Sequence, residues 1–200
     1  MTSMEGKALP FVLAAILSLG AIAAALPSTP VPADQALLAA RWTARVAIPV
    51  FLVAYLARPL HQLLPSALSK VLLARRRQWG LAFALSMTIH LGALLVNILI
   101  FRPRPVEEIL AGMAAYSLIF VMALTSNNWS MRRLGKWWKR LHLLGLHYVW
   151  LIFFAGRALR LAEGDPAYFL SAFIMGAVLL AALLLRMAAW SVTRRRAARG

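Results

Sequence analysis

Three histidines lie inside apolar stretches of the chain, where an imidazole is costly unless it has a partner. His90 follows the run WGLAFALSMTI, while His142 and His147 occur in WWKRLHLLGLHYVWLIFF, residues 137–154. His61 lies in the short connection RPLHQLLP, and we interpret it as an interfacial residue. A neutral imidazole nitrogen is a good metal ligand, including for the iron of a haem. The residue types therefore suggest ligand chemistry inside a membrane.

The composition predicts that helices buried in a bilayer position these histidines. The chain has 200 residues, is 62% hydrophobic and has a mean hydropathy of +0.74, whereas soluble domains are about half apolar. Apolar blocks of about twenty residues recur, enough for each to cross a ~30 Å hydrocarbon layer. We predict an all-α integral membrane protein, a six-helix transmembrane bundle forming one domain over residues 1–200. The predicted spans are about 8–26, 37–57, 79–101, 109–126, 138–158 and 168–190.

The charge pattern predicts the orientation of this bundle. Residues 58–78, residues 127–140 and the C-terminal tail with Arg199 carry Lys and Arg and no acidic residue. Five of the six acidic residues, among them Asp34 and Asp165, lie in the other connections, and Glu5 lies before the first span. By the positive-inside rule, both the N- and the C-terminus are expected in the cytoplasm. Topology thus explains the net charge of +16, and we expect no nucleic-acid partner.

The first apolar block has two readings. Lys7 followed by an apolar stretch and AIAAALPS resembles a signal peptide with a small-residue cleavage site. The apolar stretch is longer than the usual signal-peptide core, so we favour an uncleaved first span.

Absent residue types exclude several kinds of chemistry. The chain has no cysteine, which excludes disulfides, thiolate zinc sites, iron–sulfur clusters and covalent haem attachment. No glycine-rich nucleotide motif occurs, so a flavin or nicotinamide donor has to be a separate molecule. All six acidic residues lie outside the spans, which disfavours a proton-coupled transporter, since proton relays in membranes usually use carboxylates.

The depths of the histidines favour ligation of a haem between spans 3 and 5. His90 lies ~16 Å from the cytoplasmic end, and His142 and His147 lie roughly 6 and 14 Å deep. Both spans run outward, so one histidine from each can bind opposite faces of one iron. His142 and His147 are ~140° apart on the helix, so they cannot both face one haem. Gly145 near the face of His142 would let a macrocycle approach, whereas His147 matches the depth of His90 better.

Three segments carry patterns of a known family. They read TARVAIPVFLVAYLARPL (43–60), RRRQWGLAFALSMTIHLGALL (75–95) and LTSNNWSMRRLGKWWKRLHLLG (124–145). The second contains R-R-x-x-G-L-x-F before a histidine, and the third contains L-G-x-x-W-x-x-L-H. These patterns resemble those of bacterial ferric-reductase-like transmembrane domains, in particular the MsrQ/YedZ-like haem b membrane subunits. The resemblance covers about residues 40–160.

This resemblance implies a ligand set. His90 and His142 match the family's span-3 and first span-5 histidines, so the resemblance implies that they are the axial ligands of a haem iron, with His147 as the alternative. The family often has a second span-5 histidine about thirteen residues later, and here that position is Ala155. We therefore expect one haem b, with two as the alternative.

Arginines near the membrane faces are candidates for binding the anionic haem propionates. They are Arg76, Arg77 and Arg140 on the predicted inner side, and Arg45 with Arg41 near the outer end of span 2. The competing reading is that these side chains anchor the helices at the interface.

The resemblance implies a transmembrane electron-transfer protein of the bacterial inner membrane, an electron-transfer subunit of an oxidoreductase. Electrons would come from a separate cytoplasmic flavin reductase or from quinol, with quinone or FMN supplied with that partner. They would pass to an outer-face acceptor, either a periplasmic oxidoreductase subunit or a ferric chelate. The alternative function is a non-redox membrane scaffold or assembly protein whose histidines serve helix packing.

Overall fold

The structure, a computed structural model, describes residues 5–164 and 166–198. Asp165 and Arg199 of the charge pattern lie outside these residues. The helices in chain order are α1 (Glu5–Ala25), α2 (Pro32–Leu63), α3 (Ala67–Ala74), α4 (Arg76–Val96), α5 (Val106–Leu124), α6 (Asn128–Leu134), α7 (Lys136–Ala162) and α8 (Pro166–Ala197). In the described part of the chain, six of them are long and apolar enough to cross a membrane. The prediction of an all-α bundle with six spans is confirmed, and the chain is a multi-pass membrane protein.

Each spanning helix begins before the predicted apolar block, and α2, α7 and α8 also end after it. The connection expected at 27–36 is shorter, because α2 begins at Pro32 after a single 3₁₀ turn, Leu26–Ser28. Proline is well suited to the first turn of a helix, since its missing N–H needs no partner there. At its other end α2 continues to Leu63. Hydropathy detects the apolar centre of a helix, whereas a helix can continue into the polar interface.

Two short helices, α3 and α6, lie in the basic connections. The Ser66 hydroxyl accepts a hydrogen bond from the Ser69 N–H, and the Asn127 side chain accepts one from Ser130 N–H. These caps satisfy free backbone groups at the helix starts. Gly135, with φ +50°, separates α6 from α7. This left-handed turn suits glycine, and it gives the glycine of the L-G-x-x-W-x-x-L-H pattern a structural role.

Helix α2 is the centre of the bundle and packs against α1, α4 and α8. A stripe of small residues on α2 is buried, comprising Ala36, Ala39, Ala40, Thr43, Ala47, Ala54 and Ala57. Small side chains at helical spacing let neighbouring backbones approach closely, which is how helices associate when lipid removes the hydrophobic driving force. Large apolar side chains are abundant on the outside, as expected for a surface that faces lipid.

Aromatic side chains fill the middle of the bundle. The Phe51 ring centroid is 5.2 Å from those of Tyr55 and Phe83 and 5.6 Å from that of Phe153. These contacts join α2, α4 and α7 by offset and edge-to-face packing, which is the preferred arrangement of aromatic rings.

Polar contacts identify two ends of the bundle. At one end, which we call the basic end, Arg77 donates to the Asn128 side chain at 3.0 Å and so joins α4 to α6. At the other, the mixed-charge end, Arg102 forms a 2.6 Å salt bridge with Asp34. By the positive-inside rule, the basic end is predicted to face the cytoplasm.

The buried contact between Ser18 on α1 and Ser86 on α4, with 2.8 Å between the hydroxyl oxygens, yields a stability prediction. Ser18→Ala and Ser86→Ala should each lower the free energy of unfolding in mixed micelles by about 0.5–1.5 kcal/mol, the usual value of a hydrogen bond between membrane helices. The double variant should cost less than the sum. Ser117→Ala is the control, because Ser117 bonds its own helix at the Met113 carbonyl. Additive losses would contradict coupling between the two serines.

Candidate functional site

A cavity of about 500 Å³ opens among α2, α4, α5, α7 and α8 at the mixed-charge end. Its volume is in the range of sites for drug-sized ligands and cofactors, about 300–1,000 Å³. His90 and Arg45, both predicted site residues, line it. Much of the wall is aliphatic, including Leu37, Leu91, Leu94, Leu95, Ile98 and Ile109. The structure thus brings an imidazole and a guanidinium together in a mainly apolar chamber.

His90 is held between two neighbouring helices. Its Nδ1 lies 3.0 Å from the Thr43 hydroxyl of α2, and its ring centroid is 6.3 Å from that of Tyr116 on α5. The Tyr116 hydroxyl is buried and has no hydrogen-bond partner among the described residues. Since buried polar groups normally have partners, this unpartnered hydroxyl on a residue of the cavity wall is an exception within the described chain.

Positive charge dominates the polar lining of the cavity. The described residues around it include one carboxylate, Glu108, and five arginines: Arg41, Arg45, Arg104, Arg157 and Arg160. Arg104 and Arg160 form salt bridges with Glu108 and Glu163 at 4.0 and 2.7 Å. Arg41 donates to the Tyr168 hydroxyl. Neither Arg45 nor Arg157 forms a salt bridge within the described residues, so the chamber has cationic groups in excess.

Arg157 is a cation of the cavity wall with a buried nitrogen, Nε, that has no hydrogen-bond partner in the described chain. One of its terminal nitrogens approaches the Met175 sulfur at 3.9 Å. A guanidinium in such a place is costly unless an anion compensates it. The isolation of Arg157 therefore indicates an anionic ligand.

A π-helical turn, Asn97–Phe101, ends α4 beside the cavity. Such turns often occur at functional sites. Here the turn places Asn97 on the cavity wall, with a buried side-chain oxygen that has no partner among the described residues. Asn97 is therefore a further residue of the cavity wall with a buried polar atom that is unpartnered in the described chain.

His142 lies near the basic end of α7, in a separate neighbourhood. Its Nδ1 is 3.0 Å from the Trp138 carbonyl, and its ring stacks on Trp138 at 3.9 Å between centroids. Its Nε2 is 3.4 Å from the Ser126 hydroxyl, which donates its hydrogen to the Met122 carbonyl at 2.7 Å. A carbonyl only accepts, so in a neutral ring the shorter contact, to Trp138, assigns the proton to Nδ1. Nε2 then keeps a lone pair, and in this tautomer its 3.4 Å contact with the Ser126 oxygen is not a hydrogen bond.

The space over Gly145, considered above as room for a macrocycle, is occupied by Met122. A Cβ at Gly145 would lie 2.8 Å from the Met122 Cε. The glycine therefore permits close packing of α7 on α5, and a flat ligand could approach there only after the Met122 side chain moved.

His147 lies one and a half turns further along α7. Its Nδ1 is 2.8 Å from the Leu143 carbonyl, so this ring too carries its proton on Nδ1 and has Nε2 available. The ring is 6.0 Å from that of Tyr55, whose hydroxyl is buried without a partner among the described residues. His147 is thus linked to the central aromatic cluster.

The structure does not bring His90 and His142 into one contact neighbourhood. His90 lies beside Tyr116, and His142 lies beside Ser126. These two residues on and just after α5 are separated by about 15 Å of helix rise. Neither His142 nor His147 is among the residues that line the cavity. The axial pairing of His90 with His142 stays a prediction.

The predicted inner arginines make other contacts at the basic end. Arg76 donates through Nε to the Ala54 carbonyl at 3.2 Å, and Arg77 bonds Asn128 as described above. Arg140 lies over the Trp137 ring at 4.9 Å, a cation–π contact typical of an interface. None of the three is among the residues that line the cavity.

Sequence reasoning missed two residues of the cavity wall, Arg157 and Tyr116, and the Thr43 contact with His90. Arg157 had a detectable signal, since it is an arginine inside the apolar run of span 5, where ionisable residues mark functional sites. The hydroxyls of Thr43 and Tyr116 had none, because only the packing of α2 and α5 against α4 places them near His90.

Comparisons with known proteins give three representative relatives, each named protein-methionine-sulfoxide reductase heme-binding subunit MsrQ. That of Xanthomonas axonopodis pv. citri is 35% identical over 121 residues, 53% of this chain and 54% of the relative. That of Agrobacterium fabrum is 31% identical over 144 residues, 64% and 62%. That of Brucella ovis is 35% identical over 104 residues, 52% of this chain and 43% of the relative.

The chain spans about half the length of the curated relatives it matches. No protein-family model matches it, and no solved structure matches it significantly. The relatives support the MsrQ/YedZ-like family.

The uncompensated Arg157 yields a prediction for the ligand-free protein. Arg157→Met should leave the free energy of unfolding in micelles unchanged or raise it by roughly 1 kcal/mol, because it removes a half-buried charge and keeps an apolar stem. Thermal unfolding of protein purified without added ligand measures this. Arg104→Met, at an exposed and paired position, is the control. A loss of several kcal/mol in Arg157→Met would instead indicate that Arg157 is a structural anchor.

Proposed function

We propose that this chain, MsrQ/YedZ-like by its relatives, is a haem b-binding membrane subunit that carries electrons across the bacterial inner membrane. The observation that carries the proposal is the cavity itself, in which His90 and uncompensated arginines line an apolar chamber of about 500 Å³. A haem has the matching chemistry, with an apolar macrocycle, an iron that takes imidazole, and anionic propionates.

A bare metal site fits the chain less well than a haem. The described residues contain no group of three or more His, Asp or Glu side chains that could hold an ion. Iron within a macrocycle already has four nitrogen ligands, so one or two imidazoles complete its coordination. The donor set therefore favours a haem over a free ion.

We assign the cavity residues to different parts of that ligand. His90 binds the iron through Nε2, and Arg45 and Arg157 neutralise the propionates from the mixed-charge end. The unpartnered Tyr116 hydroxyl is a further donor, while the aliphatic walls exclude water. When bound, the haem supplies one-electron chemistry at a potential that its surroundings adjust.

An electron route toward the basic end is part of the proposal. The rings of Phe51, Tyr55, Phe83 and Phe153 form one cluster, and the Tyr55 ring centroid is 6.0 Å from that of His147. His142 and His147 both present an unprotonated Nε2, so either can serve as an iron ligand. One haem remains the expectation and a second at this level the alternative.

The donor and the acceptor follow from the predicted orientation and from the relatives' printed name. A separate flavin reductase or quinol would deliver electrons at the basic end, with FMN or quinone brought by that partner. A periplasmic methionine sulfoxide reductase subunit is the acceptor that the name suggests, and a ferric chelate is the alternative. Because the chain spans about half of each relative, these partners remain proposals.

A redox difference spectrum tests haem binding. The protein, expressed with haem supplied and purified in detergent, should show a b-type signal in the dithionite-reduced minus oxidised spectrum. His90→Ala should lose most of that signal, because the cavity loses its imidazole. His61→Ala is the matched control, since His61 bonds Ser69 in the basic connection at 3.0 Å and should keep full haem content. A wild-type protein without any b-type signal would support the non-redox scaffold instead.

Substitution of the two α7 histidines tests the second ligand. If His142 pairs with His90 as the family pattern implies, His142→Ala should abolish haem binding while His147→Ala retains it. Haem content per protein and the low-temperature spectrum measure both. The reverse result would assign the role to His147. Full haem content in both single variants and in the double variant would exclude both residues.

A further inference from the structure

The Thr43 hydroxyl contacts Nδ1 of His90, and Thr43 itself is not among the residues that line the cavity. The Thr43 side chain is fully buried in α2. Its Oγ1 lies 3.0 Å from Nδ1 of His90 on α4 and 2.6 Å from the carbonyl oxygen of Ala39, one turn back on its own helix. One buried hydroxyl thus joins two helices at the histidine that lines the cavity.

The hydrogens in this contact can be assigned by counting. A threonine hydroxyl has one hydrogen and two acceptor lone pairs. The Ala39 carbonyl can only accept, and an oxygen–oxygen distance of 2.6 Å is that of a hydrogen bond. The single Thr43 hydrogen is therefore used on Ala39. Thr43 must accept from His90, so Nδ1 carries the imidazole proton.

This assignment decides which nitrogen can bind a ligand. A neutral imidazole with its proton on Nδ1 has its lone pair on Nε2. Nε2 is at the opposite edge of the ring from the Thr43 contact, and the ring lines the cavity. The hydroxyl thereby keeps His90 in the tautomer that offers a lone pair to the chamber.

His90 differs from the two α7 histidines in how its tautomer is set. His142 and His147 each donate from Nδ1 to a carbonyl one turn back on α7, so their own helix provides the acceptor. The acceptors for His90, the Thr43 hydroxyl and the Ala40 carbonyl, both belong to α2. The tautomer of His90 that has its lone pair on Nε2 therefore depends on the packing of α2 against α4.

We infer that Thr43 is a positioning residue for iron ligation, orienting His90 and fixing its tautomer through the Nδ1–H···Oγ1 bond. The inference rests on the proposed function in that the ligand is the haem iron. An acceptor on the second ring nitrogen also makes the imidazole a stronger electron donor to the metal and typically changes metal affinity 10- to 100-fold. Thr43 thus influences both haem affinity and reduction potential without touching the haem.

Three variants separate this role from simple packing. Thr43→Val keeps the shape and removes the acceptor, whereas Thr43→Ser keeps the hydroxyl. Thr88→Val is the matched control, because Thr88 lies two residues from His90 and makes the same kind of bond, to the Ala84 carbonyl at 2.9 Å.

Haem titration and redox potentiometry measure the effect on the ligand. Thr43→Val should weaken haem binding about 10- to 100-fold and shift the midpoint potential upward, since a poorer donor stabilises the ferric state less. Thr43→Ser and Thr88→Val should stay close to wild type. Equal affinity and potential in Thr43→Val and wild type would overturn the inference.

A measurement on ligand-free protein separates this inference from the proposed function. In ¹⁵N-histidine-labelled protein in micelles, the ring-nitrogen shifts of His90, assigned with His90→Ala, should report Nδ1–H in wild type and Thr43→Ser. Thr43→Val should weaken that preference, because only the Ala40 carbonyl, the other hydrogen-bond partner of His90 on α2, would remain as an acceptor. A wild-type protein with this tautomer but no b-type signal would reject haem and still support Thr43 as the residue that fixes His90. An Nε2–H tautomer in wild type, or Nδ1–H unchanged in Thr43→Val, would overturn the Thr43 role whatever the haem result.

Discussion

A polar group inside hydrocarbon must have a partner, and this constraint governs most of the polar chemistry of the bundle. Helices satisfy their own backbone groups, so side chains carry the remaining demand. Several polar side chains find a hydrogen-bond partner on a neighbouring helix. Examples are Ser18 with Ser86, Arg186 with the Tyr55 carbonyl and Trp150 with the Leu179 carbonyl. The exceptions are therefore informative. Five side chains have an unpaired buried polar atom within the described chain. Three of them, Tyr116, Asn97 and Arg157, line one chamber with His90, whereas Tyr55 and Gln78 lie outside it.

The six spans were predictable because a bilayer imposes a length and a polarity on each helix. Periodic hydropathy and the prolines at 103 and 105 indicate where helices can run, and the structure has helical turns up to Phe101 and a new helix from Val106. The exact helix ends were less predictable. The start of α2 at Pro32 and the short helices α3 and α6 depend on caps and turns, which hydropathy averages out.

The candidate site was predictable in part. His90 and Arg45 could be selected by residue type and depth, and they do share a cavity. The spatial relation between His90 and the α7 histidines could not be deduced, because helix spacing gives a depth along each helix and gives no relative shift between helices. That shift is set by side-chain packing, such as Met122 against Gly145 or Phe83 against Phe153. Thr43 illustrates the same limit, since a hydroxyl on one helix becomes relevant only when another helix presents an imidazole to it.

The small-residue stripe on α2 has a consequence for how this protein tolerates sequence change. Each alanine of the stripe is a point where a neighbouring helix approaches closely, so a larger side chain would push α1, α4 or α8 away. The same displacement would move Thr43 relative to His90. Much of α2 therefore consists of small residues that tolerate few substitutions. Although α2 contributes no iron ligand, we expect it to be as sensitive to substitution as the helices that carry the candidate histidines.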